Sequence, residues 1–185
     1  ANKGVQQFAP DRSFVRAWSD AGNRSGDLAS PATASMLSSP NFVAVAPDGS
    51  VFVTDESRNV VERYTADGVW MNTLGSDSGD ARLNAPRGVS FGPDGNVWVA
   101  DYGRGRIAVF TTDGTFVREV TGINLPTNLE FDSAGRLLLV DAKGLQVMNE
   151  ELQPVGRIWR GQGMFTFVPT VASGADGQIY IVDYN

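Results

Sequence analysis

The chain has 185 residues, 42% of them apolar and 19% charged, enough to bury the core of one domain. Its net charge of −6, with no run of Lys or Arg, argues against nucleic acid or an anionic membrane as partner. It contains no Cys and no His, which removes disulfides, thiolate metal sites, the Cys nucleophile and the commonest general base and zinc ligand.

In chain order, KGVQQFAPDRSFVRAW (Lys3–Trp18) predicts two strands, GVQQF and FVRAW, around a Pro-containing turn. Ser19–Pro40 follows, rich in Ser, Ala, Thr and Pro, and predicts a long surface loop. It carries the sequon Asn23-Arg24-Ser25, which makes Asn23 a candidate glycosylation site. Residues 40–75 predict four strands, in the order NFVAV, VFVTD, VVERY and VWMNTL. Residues 86–120 repeat the order with GVSF, VWVAD, RIAVF and TFVREV. Residues 126–160 repeat it again with NLEF, LLLVD, LQVM and VGRIW. Residues 169–185 supply only the first two strands, TVAS and IYIVDYN. No segment approaches the ~18 consecutive apolar residues of a membrane span.

One short pattern recurs four times: GSVFVTD, GNVWVAD, GRLLLVD and GQIYIVD. The Gly-to-Gly spacings are 46, 40 and 42 residues. Pro-Asp-Gly, Ser-Ala-Gly or Ala-Asp-Gly precedes each copy, a hairpin turn in which Gly supplies the positive φ. Four antiparallel strands per unit of this length is the arithmetic of a β-propeller blade. The second strand of each unit is apolar at nearly every position, as expected when blades cover both of its faces. Phe52, Trp98, Leu138 and Tyr180 form one such column. Phe14, Trp70, Phe116 and Val155 form another on the outer strand, and Trp18, Leu74, Val120 and Trp159 end the units. All three columns are expected to pack between blades.

The N-terminal pair of strands matches the outer half of a blade, and the C-terminal pair matches the inner half. Residues 1–18 are therefore expected to complete the blade begun by 169–185, through Val5, Gln6, Phe8, Phe14, Val15 and Trp18 against Ile179, Tyr180, Ile181 and Val182. The expected fold is all-β, a single propeller domain over 1–185 with four blades, the last completed by the N-terminal strands. The same pairing between two chains would join copies head to tail. A closed small ring and a piece of a larger one remain open at this point.

The copies resemble NHL repeats, most closely over PRGVSFGPDGNVWVADYGRGRIAVFTTDGTFVREV, Pro86–Val120. The third copy departs from that pattern, reading VDAKGLQVM where the Arg-containing turn is expected. The resemblance implies a propeller whose innermost strands line a central channel. NHL-like lyases that use His-ligated zinc, and the similar streptogramin lyases, rely on a residue type that is missing here. Calcium-dependent lactonase-like propellers use Glu, Asn and Asp, which leaves calcium chemically open, because these are hard oxygen ligands.

The channel-lining candidates are Asn41, Arg87, Thr127 and Thr170 near the entrance, with Asn128 and Glu130 on the third copy. Glu130 stands where the other copies have Ala44, Ser90 and Ala172, and Arg87 is its expected ion partner. The repeated Asp55, Asp101, Asp141 and Asp183 are expected to be structural, each capping its turn by accepting downstream amides. The functional expectation is a non-catalytic, secreted (extracellular or periplasmic) structural subunit without cofactor, partnered by itself or another protein and able to assemble into a fibre. A start at Ala1 agrees with removal of a targeting segment. The alternatives are a closed propeller that binds a protein or small ligand on its loop face, and a calcium-assisted lactonase- or lyase-like enzyme.

Overall fold

The computed structural model describes residues 4–19, 37–159, 170–174 and 176–182. Two strands come first, β1 (Gly4–Phe8) and β2 (Phe14–Ser19). The first complete blade is β3 (Pro40–Val45), β4 (Val51–Asp55), β5 (Val60–Tyr64) and β6 (Trp70–Leu74). The second is β7 (Pro86–Phe91), β8 (Val97–Asp101), β9 (Arg106–Phe110) and β10 (Phe116–Val120). The third is β11 (Asn128–Phe131), β12 (Leu137–Asp141), β13 (Gly144–Met148) and β14 (Pro154–Trp159). The last pair is β15 (Thr170–Ser173) and β16 (Ile179–Val182). Each blade is a four-stranded antiparallel sheet with its strands in sequence order. No helix among the described residues is long and apolar enough to cross a membrane.

Local chemistry explains the hairpins. At Ala46-Pro47-Asp48-Gly49 the Gly49 amide donates to the Ala46 carbonyl, and Gly49 takes φ +81°. The Asp48 side chain then accepts the Ser50 amide at 2.8 Å. The turn thus closes on a residue type with no Cβ penalty and is locked by its own carboxylate. The same backbone pair recurs at Gly92/Gly95, Asp132/Gly135 and Gly174/Gly177.

Burial holds the blades face to face. The second strand of each complete blade is buried along its whole length. Phe52, fully buried, meets Phe91 of the next blade edge-on at 5.2 Å, and Trp98 meets Phe131 likewise at 5.1 Å. Leu138 continues this column in the core, but Tyr180 leaves it, at 56% exposure. The outer column is less buried than expected: Trp70 and Phe116 are half-buried, while Phe14 and Val155 are exposed. Outer strands lie where blades splay apart, so their side chains find a neighbour on one side at most. Of the blade-ending column, Trp18 and Leu74 are buried and Val120 is half-buried; the Trp159 side chain lies outside the described residues.

The composite fourth blade is not what the described residues form. β1–β2 and β15–β16 are separate two-stranded sheets, and β16 has no pairing with β1. Each half-blade instead packs on its sequence neighbour. Val5 and Trp18 join the cluster of Leu37, Val51, Val53 and Tyr64, with Trp18 and Tyr64 rings 6.2 Å apart. Ile179 and Ile181 pack on Leu138, Val140, Leu145 and Val171 of the third blade. Gln6, Phe8 and Val15 are exposed, as is Val182 on the other face of β16. Contact with the adjacent blade buries apolar area at once, whereas pairing across the ring must first bring the two ends of the arc together.

Candidate functional site

Antiparallel pairing places the start of each innermost strand beside the end of the second. Pro40 lies opposite Asp55, and Pro86 opposite Asp101. One end of the molecule therefore collects Asn41 and Arg87 from the innermost strands with Glu56 and Tyr102, the residues that directly follow the repeated Asp.

The Asp residues hold this end together. Asp55 accepts the Ser38, Ser39 and Arg58 amides, which ties the incoming segment to the turn that follows β4. Asp101 accepts the Asn84 amide at 2.7 Å and Arg106 Nε at 2.8 Å. Burial pushes the Asp101 carboxyl above its ordinary value, against the pull of Arg106 and the Asn84 amide. Asp141 accepts the Lys143 amide and Gln146 Nε2. Asp55 and Asp141 accept a downstream amide, whereas Asp101 takes the Arg106 side chain and no downstream amide, so the expected turn cap is absent there; Asp55 and Asp101 fasten the segment arriving from the preceding blade. Asp183 and Asn23 lie outside the described residues.

On that frame sits an asymmetric polar cluster. Asn41 Nδ2 donates to Glu56 Oε2 at 2.9 Å, and Arg87 Nη2 donates to Glu56 Oε1 at 3.2 Å. The Arg87 guanidinium carbon lies 3.7 Å from the centroid of the Tyr102 ring, a stacking distance. Arg87 and Glu56 side chains are 26% and 31% exposed, so both reach solvent. Arg87 Nε is buried and has no acceptor. Asn41 also borders a cleft of about 320 Å³ shared with Val5, Gln6, Phe42, Val43 and Val53. That volume lies at the lower end of small-molecule sites.

The remaining candidates serve the next two seams. Asn128 Nδ2 donates to Thr170 Oγ1 at 2.7 Å, and its Oδ1 accepts the Leu129 amide at 2.8 Å. Thr127 is buried, its carbonyl accepting the Gly88 amide at 3.1 Å. Thr170 lies one residue along from the level of Asn41, Arg87 and Thr127. It pairs with Val182 as Asn128 pairs with Val140, so it is the Asn128 equivalent, one residue along. Glu130 does not meet Arg87 either. Its Oε1 accepts both the amide and the hydroxyl of Ser173, at 2.9 and 2.7 Å. Arg87 and Glu130 are parted by three positions of strand register, and each takes the partner on its own level.

Sequence reasoning missed Glu56 and Tyr102. The signal was available: the position after the repeated Asp reads Glu56, Tyr102, Ala142 and Tyr184, different in neighbouring copies while the Asp is constant. Among the described residues, the oxygen donors considered for calcium are spread over separate seams. Glu56 already carries a guanidinium beside it, and Glu130 is committed to Ser173 on another seam. Among the described residues no three His, Cys, Asp or Glu side chains come together as metal ligands.

The comparisons follow this geometry. Residues 83–110 match the NHL repeat family. That stretch is an NHL repeat within a β-propeller fold. Among solved structures it is similar to virginiamycin B lyase from Staphylococcus aureus, at 19% identity and TM-score 0.65 over 98% of this chain and 56% of that one. It is also similar to a gluconolactonase from Xanthomonas campestris, at 19% identity and TM-score 0.71 over 98% of this chain and 62% of that one. The chain thus spans between about half and two thirds of those proteins' length. No curated protein sequence matches it significantly. At such identities the likeness establishes the fold. It also corrects one expectation, because solved structures of this fold include enzymes, and the reading of the chain as non-catalytic does not stand. Lack of His and Cys removes particular chemistries, while acid–base work by carboxylates survives it.

Proposed function

We propose that this NHL-type propeller binds a small polar ligand at the end where its innermost strands begin, with Asn41, Glu56, Arg87 and Tyr102 as the site. One observation carries the reading: positions that the repeat makes equivalent hold different polar groups, drawn by two blades into one solvent-reaching cluster beside a cleft. A repeated architecture needs no such asymmetry, whereas an asymmetric ligand does. Glu56 is the carboxylate placed to take or give a proton on a molecule held there, with Asn41 and Arg87 fixing its orientation. The fold's occurrence in a lyase and a gluconolactonase supports a ligand that is also turned over.

The test is a thermal-shift and turnover screen of the purified chain with gluconolactone and virginiamycin B. Wild-type protein is expected to be stabilised by one of them, and Asn41→Ala or Arg87→Ala to lose that response while melting alone as wild type does. Equal responses from all three proteins would place the ligand elsewhere and overturn the assignment.

A further inference from the structure

Hydrogen-bond capacity in the cluster is lopsided. Each oxygen of Glu56 already accepts one proton from the protein, from Asn41 and from Arg87. Arg87 carries five N–H donors and spends one of them on Glu56, at a long 3.2 Å. Its Nε is buried without an acceptor. Arg106 in the same blade shows what a satisfied guanidinium looks like: its nitrogens donate to Asp101, Glu119 and the carbonyls of Asp80 and Arg82. Arg87 has no equivalent set, yet it is not loose, because stacking on Tyr102 fixes the plane of its fork. A planar donor fork, held in place and short of acceptors, is the complement of a planar oxyanion.

We infer that Arg87 anchors a carboxylate group of the ligand, and that Glu56 is an internal competitor for the same guanidinium. This rests on the proposed ligand site at the end where the innermost strands begin, and names the chemical class that the site takes. Tyr102 supports the plane of the guanidinium, so an incoming carboxylate meets the donor edge without reorganising it. Glu56 lowers affinity for any anion by occupying one donor and by its own charge, which also keeps the half-buried Arg87 paired when the site is empty. The carboxylate exchanges partners at Arg87, and no covalent bond changes.

The experiment follows the Arg87 Nε–H resonance by 15N–1H NMR in the whole chain, assigned from the peak missing in Arg87→Lys. Sodium acetate is the probe, and acetamide is its neutral isostere at matched ionic strength. Acetate is expected to shift the resonance saturably and acetamide to leave it in place. Glu56→Gln is expected to lower the acetate midpoint about tenfold, the scale of removing one like charge from an ion-pair site. A Tyr102→Ala variant is expected to raise the midpoint while the fold, read by the remaining amide spectrum, is kept. Acetamide acting as acetate does, a shift shared equally by exposed arginines, or an unchanged or raised midpoint in Glu56→Gln would each overturn the inference. If gluconolactone or virginiamycin B gives an Arg87-dependent thermal shift while acetate has no effect, the proposed ligand site stands and the carboxylate anchor falls.

Discussion

Gly88→Ala probes the seam on which the site is mounted. Gly88 follows Arg87 on β7 and faces the third blade. A Cβ added there would lie 2.6 Å from Asn128 Cα, 2.7 Å from Asn128 Oδ1 and 3.0 Å from the Leu129 nitrogen. Two of the three are backbone atoms, so no side-chain rotation relieves the contact, and β7 must move away from β11 by about 1 Å to reach ordinary van der Waals separation. Overpacking of this kind costs about 1–3 kcal/mol. The same displacement strains the Gly88 amide to Thr127 carbonyl bond and the Asn128 to Thr170 bond, adding about 1 kcal/mol. At about 2–4 °C per kcal/mol for a chain of this size, the melting temperature is expected to fall by roughly 5–15 °C in a circular-dichroism melt. Gly95→Ala is the control. Gly95 has φ +76° and nothing within 4 Å of the added Cβ, so it carries backbone strain of about 1 kcal/mol and no clash. A Gly88→Ala melting point within 2 °C of wild type, or above that of Gly95→Ala, would refute close strand approach as the reason for glycine here (about the resolution of ~0.5 kcal/mol).

Three further outcomes follow from the packing. Glu62→Ala removes a fully buried carboxylate that accepts from Arg58, Trp70 Nε1 and Thr73 Oγ1; it is expected to cost about 3–5 kcal/mol in urea unfolding. Phe52→Ala, which opens the seam to Phe91, is expected to cost about 3–5 kcal/mol by the same measurement, against less than about 1 kcal/mol for Phe14→Ala, whose ring is 55% exposed. Hydrogen bonds from Ser50 hold the Asp48 carboxyl below its ordinary value, and bonds from Ser13 and Thr111 do the same for Asp11 and Asp113. A depressed folded-state value means stability that is present above the ordinary carboxylate range and is lost as pH falls below it, so melting temperature should drop below about pH 4. Asp48→Asn is expected to reduce that slope, and a slope unchanged in Asp48→Asn with Asp113→Asn would count against the turn carboxylates as its source.

The turns were the most legible part of the chain. A Gly-ending turn before each second strand fixes a positive φ, and an Asp in the same hairpin accepts the amide two residues on. Strand order within a blade was legible for the same reason, since every pairing is between sequence neighbours. The seams were legible only in their apolar part. Phe52 and Trp98 announced burial by type, but nothing in either local sequence told Glu130 that its partner would be Ser173, or gave Arg87 to Glu56. Those choices depend on how far one blade slides past the next, and a slide of a few residues changes every polar partner while leaving each hairpin intact.

By itself the sequence determined the repeat, the antiparallel order, the column of buried second-strand residues and the chemistry that cannot occur without His or Cys. Each of these is local, set within a hairpin or by residue type. Only the tertiary structure decided that β1–β2 and β15–β16 pack on neighbouring blades as separate sheets, and that Asn41, Glu56, Arg87 and Tyr102 share one end. These are contacts between blades, where similar apolar faces accept one another in more than one register, and the total packing energy selects the one that is realised.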